Sequence, residues 1–234
     1  MDGLGAGRRE ARLNADYEGV PIMSVRAYNT VMGVTVLYGL LMSMMVCVAL
    51  MPISYKLVEH YPVIVVVYLI SASLGCWMSA FSQSPVVSFI GYNLLVVPVG
   101  VVLAIPISRI SAIGFELVIQ AMLFTMIIVL CMIAIGFLNP GVFLGLRGIL
   151  FTILLGMIAS GVVCLIFRWD TSWQNWICVL LFSLYIGYDF QRSQKFEHTL
   201  DNAVDCALDI YLDVINLFLR VLYILSKSKS KGRS

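Results

Sequence analysis

Apolar positions run along this chain in long blocks rather than in alternation. Seven blocks reach spanning length, at about residues 28–51, 62–80, 86–107, 112–137, 143–167, 173–190 and 201–225. About 20 apolar residues in a helix cross the roughly 30 Å hydrocarbon core of a bilayer. A closed barrel would show short segments of alternating hydrophobicity, so the blocks predict helices. The interruptions carry loop chemistry: "MPISYKLVEHYP", "SQSP", "SRIS", "LNPG", "RWDTSW" and "QRSQKFEHTL" in chain order. Such short links make consecutive helices antiparallel neighbours. Pro98 and Pro106 fall inside the third block as packing or kink positions. The small-xxx-small step "GMIAS", Gly156 to Ser160, is expected to serve internal helix packing.

The pattern predicts an all-α membrane protein, a seven-transmembrane helix bundle. Its parts are a polar amino-terminal arm at 1–26, lying on a surface or mobile, a bundle at 27–226 and a short solvated basic tail at 227–234. Composition agrees, since 61% of the 234 residues are hydrophobic and 12% are charged, where a soluble domain carries about 25% charged. No room is left for a soluble catalytic domain. The formal net charge of +2 is too balanced to suggest nucleic acid. The first apolar block is too long for a signal-peptide core and no small-residue cleavage site follows it, so no secretory signal is expected.

Seven spans would place the termini on opposite faces. Lys and Arg count evenly, with Arg8, Arg9, Arg12, Arg26, Arg147, Arg192 and Lys195 on the amino-terminal side. Lys56, Arg109, Arg168, Lys227, Lys229, Lys231 and Arg233 stand against them. The usual dominance of the first segment puts the amino terminus inside. An even count also fits a segment that does not cross fully. The six cysteines all lie within apolar blocks, with no CxxC spacing, and are expected as small packing residues.

One block changes the picture. "TLDNAVDCALDIYLDVINLFLRVLYIL" carries Asp201, Asp205, Asp209 and Asp213, each four residues after the last. A four-residue step advances about 400°, so Asp205, Asp209 and Asp213 share one stripe, about 6 Å apart along the axis per step. Asn216 and Arg220 continue it. A carboxylate at the bilayer centre costs about 2.5–3.5 kcal/mol on insertion scales, so these acids must face protein, a cation or water. Asp201 is expected at the headgroups near bulk water, where an acid also suits a helix N-terminus. Asp213, about three turns inside, is read as an ion or proton group, with Asp209 and then Asp205 lining the path.

Asp189 ends the sixth block in "FSLYIGYDFQ". Either it is an exposed group at a helix end, or the short link to the seventh block brings it to the column. Two carboxylates in a low-dielectric site titrate as a unit, and when ionised they suit Ca²⁺. Glu116 and Gln120 form another i,i+4 pair, with Glu116 either at the interface or lining. His60 and His198 fall in loops and are expected to be solvated. No GxSxG, Walker or HExxH motif occurs, and "YIGYDF" lacks the GxGD context of an aspartyl membrane protease, so an enzyme is not expected.

"FSLYIGYDFQ", followed by "ALDIYLDVINLFLRVL", resembles the carboxy-terminal hallmark of the Bax inhibitor motif family, in particular its bacterial members. "VRAYNTVMGVTVLYG" at the first span and the number of spans agree, while the middle of the chain matches only in its pattern of spans. The resemblance implies a bundle with the seventh helix central and a pH-sensitive calcium leak in a bacterial inner membrane. It implies a di-aspartyl unit, which by motif is Asp189 and Asp213, with Ca²⁺ as transported ion and no resident cofactor. It also implies an arginine late in the second helix that latches onto the first aspartate. Here "CWMSAF" covers that region and offers Ser79 instead. The rival reading is a non-conducting protein that binds another membrane protein, such as a quality-control protease, its acids serving as internal hydrogen-bonding groups.

Overall fold

The computed structural model describes residues 19–111, 114–167 and 172–231. Among the described residues no strand occurs, and seven long helices follow the apolar blocks: α1 Val25–Leu50, α2 Tyr61–Phe81, α3 Pro85–Ser111, α4 Phe115–Leu138, α5 Arg147–Phe167, α6 Ser172–Ser193 and α7 Leu200–Lys231. Most of the predicted amino-terminal arm, residues 112–113, the first four residues of the "RWDTSW" link and the last three residues lie outside the described residues.

Local chemistry sets several boundaries. Ser24 caps α1, its side chain accepting from the Ala27 N–H at 3.3 Å. The link after α1 is more ordered than its composition suggests, with a 3₁₀ turn at Met51–Ile53 and a short helix at Ser54–Glu59. Proline stands in the first turn of α2, where its missing N–H is no loss. Pro98 and Pro106 sit inside α3 without ending it. The turn after α4 uses Gly141 at φ 92°, a left-handed conformation that glycine adopts without a Cβ penalty. α7 does not stop near 225 but continues to Lys231, so most of the expected basic tail is helical.

Among the described residues five helical stretches are long and apolar enough to cross a membrane: Val25–Glu59, Tyr61–Phe81, Pro85–Ile110, Phe115–Leu138 and Leu144–Cys164. The protein is therefore a multi-pass helical membrane protein. α6 and α7 are as long as the others, but polar side chains lower their hydropathy: Gln174, Asn175, Asp189 and Gln191 in α6, and the aspartate column in α7.

The chain forms two compact units. The first takes in the described residues as far as Arg109 together with Ser193–Tyr211. Its core holds Tyr28, Tyr92 and Tyr211, all fully buried. Their polar ends are satisfied: the Tyr92 hydroxyl donates to the Thr35 carbonyl at 2.9 Å, and the Tyr211 hydroxyl bonds to Ser43. Helices α2 and α3 meet backbone to backbone, since a Cβ on Gly91 would lie 2.7 Å from the Gly75 carbonyl oxygen.

The second unit takes in Ile110–Arg192, where described, together with the chain from Leu212. Phe143, Leu150, Leu181 and Tyr188 form its buried cluster. Gly187 of α6 lets the Phe143 ring lie against the helix backbone, where a Cβ would come within 2.6 Å of it. Gln191 then closes the end of α6 onto the α4–α5 turn. Its Nε2 donates to the carbonyls of Gly136 at 2.9 Å and Asn139 at 2.7 Å, and its Oε1 accepts from the Phe143 N–H at 2.9 Å.

Three expectations are corrected. His198 is in a loop but half-buried, its ring 4.6 Å from that of Tyr28, because the loop folds back onto the start of α1. Asp201 is 6% exposed rather than close to bulk water, because neighbouring helices cover it. Gly156 would place a Cβ in open space among the described residues, so only the Ser160 end of that step packs within this chain, accepting from Gln174 of α6 at 3.0 Å.

Candidate functional site

The first four-residue steps of the aspartate column fall in the first unit. Asp205 is 1% exposed and accepts a hydrogen bond from the Ser79 hydroxyl of α2. Asp201 accepts from the Ser88 hydroxyl of α3 at 2.7 Å. The loop ahead of them is fixed by backbone groups. Thr199 Oγ1 accepts from the Asn202 N–H at 3.2 Å, as an N-cap does, and Asn202 Nδ2 donates to the Glu197 carbonyl at 2.9 Å. The Tyr28 hydroxyl lies 3.2 Å from the Ser193 carbonyl and 3.4 Å from Cys206 Sγ. Buried carboxylates need such donors, because an unsatisfied charge in a dry site is far costlier than an unsatisfied neutral group.

The second unit holds the two acids of the hallmark segments. Asp189 of α6 and Asp213 of α7 are both buried, at 9% and 7% exposed. The phenol of Tyr185, one turn before Asp189, is in electrostatic interaction with both carboxylates. Asp189 has a charged partner on its own helix, Arg192, whose Nη1 lies 3.1 Å from Asp189 Oδ1. A helix places residues three apart on one face, which is why this pair forms. The guanidinium also lies 5.9 Å from the centre of the Tyr188 ring.

The remaining candidates stand in three different settings. Asp209 is half-buried on α7. Asn216 donates to the Leu212 carbonyl of its own helix at 2.9 Å, and Arg220 donates to Asn175 Oδ1 at 3.2 Å. Glu116 has a side chain 76% exposed and lies 3.8 Å from Lys229 Nζ. Among the described residues no three His, Cys, Asp or Glu side chains converge as a metal-ligand set.

Sequence reasoning missed four partners. Ser79 and Ser88 carry no local signal, since they meet their acids only through folding. Arg192 and Tyr185 did carry one: they stand three after and four before Asp189 on a predicted helix. At the position where the resemblance expects a latch arginine, Ser79 serves Asp205, and the guanidinium beside Asp189 comes from Arg192 instead.

Comparison with known proteins agrees with the hallmark segments. The family described as inhibitor of apoptosis-promoting Bax1 matches residues 24–230. Bax inhibitor 1 of Saccharomyces cerevisiae is 36% identical over 78 residues, which is 31% of this chain and 26% of the yeast protein. The matched stretch thus spans about a quarter of that relative's length.

Proposed function

The chain belongs to the Bax inhibitor family, the inhibitors of apoptosis-promoting Bax1, and from that membership we propose that it is a pH-sensitive Ca²⁺ leak whose sensor is the Asp189–Asp213 pair. One observation carries the reading: the acids of the two hallmark segments, Asp189 on α6 and Asp213 on α7, are both withdrawn from solvent in the same compact unit, and Asp189 meets the Arg192 guanidinium at 3.1 Å. In this proposal α6 and α7 cross the bilayer with the five apolar helices, α7 is the central helix and the amino terminus lies inside. Asp209 lines the approach, with Asn216 and Arg220 further along α7, while Asp205 is held by the Ser79 hydroxyl. No cofactor and no covalent step are involved.

Two carboxylates offer fewer oxygens than the six to eight that Ca²⁺ takes. The ion therefore keeps much of its water and visits rather than resides, which suits conduction, since a site must be weak enough to release its ion. Close acids in a low-dielectric site do not both ionise freely, so the pair titrates as one unit. Protonation removes negative charge, so Ca²⁺ attraction falls as pH falls through the range of the pair. The test is Ca²⁺ uptake into liposomes reconstituted with the full chain, across pH, for wild type and Asp213→Asn. The expected result is pH-dependent uptake in wild type and a flattened profile in the variant. Uptake equal to that of empty liposomes contradicts the proposal.

A second reading is favoured by a different observation. Asp201 and Asp205 are held by serine hydroxyls, as internal hydrogen-bonding groups would be. If all the acids act so, the protein conducts nothing and serves by binding another membrane protein. Equal uptake at the baseline of empty liposomes in both proteins is the result that reading expects.

A further inference from the structure

Two basic side chains of the second unit meet acids, Arg192 at 3.1 Å from Asp189 and Lys229 at 3.8 Å from Glu116. Arg220 of α7 does not. Its Nη1 donates to Asn175 Oδ1 of α6 at 3.2 Å, and among the described residues that neutral amide is its hydrogen-bond partner and no acid pairs with it. Arg220 is also exposed, with apolar residues on either side at 217–219 and 221–225. A guanidinium on the outer face of an apolar helix is costly in hydrocarbon, so it reaches for headgroup level or draws a counter-charge to itself. Its surroundings set its level. Asn175 lies in the first turn of α6, and Lys227, seven residues after Arg220 and hence on the same face of α7, donates to the Ser172 hydroxyl at that helix start. Two contacts in antiparallel register thus bring the last turns of α7 to the start of α6, within one compact unit. Trp173 and Trp176 of α6 are exposed, and so is Tyr223, one turn after Arg220. Exposed Trp and Tyr side chains at the end of apolar helices mark the headgroup boundary.

We propose that Arg220 is an anionic-lipid contact: its guanidinium, held at headgroup level by Asn175, takes the phosphate of an acidic phospholipid at the face where α6 begins and α7 ends. A guanidinium has five N–H donors in a planar fork that matches phosphate oxygens in pairs, and Asn175 uses one of the five. Lys227 stands about 10 Å further along the same face, nearer bulk water, and adds to the attraction. The inference takes from the proposed function only that this end of α6 and α7 meets a bilayer. It needs neither conduction nor the paired acids.

The test is native mass spectrometry of the full chain in neutral detergent, titrated with phosphatidylglycerol or with phosphatidylcholine of the same acyl chains. The readout is the ratio of the two affinities for the first lipid bound. Wild type is expected to prefer phosphatidylglycerol by about fivefold or more, since one basic group beside an anionic lipid is worth about that factor. Arg220→Gln should lower the ratio by about fivefold. Asn175→Asp puts a carboxylate where the amide stands, so the guanidinium stays in place with its charge met inside the protein, and the ratio should fall as far. That second variant keeps the arginine, so its effect is not the loss of a packed side chain. Lys56→Gln removes an exposed charge from the other unit and should leave the ratio as in wild type. A ratio near one in wild type overturns the proposal. So does a preference that survives in Arg220→Gln or in Asn175→Asp, or one that falls equally in Lys56→Gln. The expected ratios without Ca²⁺ uptake in liposomes would remove the leak and keep the role of Arg220. Uptake with a ratio near one in wild type would do the reverse.

Discussion

Asp201 and Asp205 each receive a serine hydroxyl, from Ser88 at 2.7 Å and from Ser79, whereas Asp189 receives a guanidinium, from Arg192 at 3.1 Å. All three are buried, and Asp201 and Asp205 stand four residues apart on α7, with Asp213 eight residues further on. What differs is the range of states each partner accepts. A hydroxyl both donates and accepts, so it can serve a carboxylate or a neutral acid. A guanidinium only donates and is always charged, so it favours the ionised form. The first unit thus holds two acids in hydrogen bonds from hydroxyls, and the second holds Asp189, whose charge is countered by charge. The partner that folding supplies, rather than position along the chain, decides the chemistry of each acid.

The largest effect on stability should come from the second unit. Gly187→Ala drives a Cβ into the buried Phe143 ring and should destabilise by about 2–3 kcal/mol, near the upper end of overpacking costs. Thermal unfolding in detergent measures it, and an unchanged midpoint would mean that the end of α6 is not anchored there. Next comes Ser79→Ala, which removes the hydroxyl donor from a carboxyl group 1% exposed and should cost about 1–3 kcal/mol. Asp205→Asn keeps an acceptor for the same hydroxyl, so it should cost less than Ser79→Ala, under about 1 kcal/mol. The reverse order in denaturation would assign Asp205 to the charged class and dissolve the contrast between the units. The smallest effect belongs to Glu116→Gln. Its ion pair with Lys229 is long at 3.8 Å and open to solvent, so the change should stay below about 0.5 kcal/mol and leave uptake unaltered.

Much of the helical plan was legible in the sequence. Apolar blocks fixed the helices because lipid-facing segments must satisfy their own backbone, and the polar links marked the breaks. The carboxy-terminal hallmark segments pointed to the family. Burial along α7 was less legible. Asp201 was placed near water by its distance from the middle of an apolar block, but protein covers it, and depth along a chain says nothing of which neighbour lies above a side chain. Ser79 and Ser88 lie 126 and 113 positions from the acids they serve, too far for any local pattern to connect them. The short helix at Ser54–Glu59 and the helical run to Lys231 show the opposite error, polar segments taken for loops where the backbone stays helical.

The most direct measurement compares Asp213→Asn with Asp205→Asn in Ca²⁺ uptake by liposomes at matched protein levels. Each substitution removes one negative charge from a buried site on the same helix, so only the surroundings differ. The account predicts that Asp213→Asn changes the rate by about tenfold and flattens its pH dependence. Asp205→Asn should stay within about twofold of wild type, because its amide keeps the bond to Ser79. Equal effects of the two variants, or a larger effect at Asp205, would contradict it.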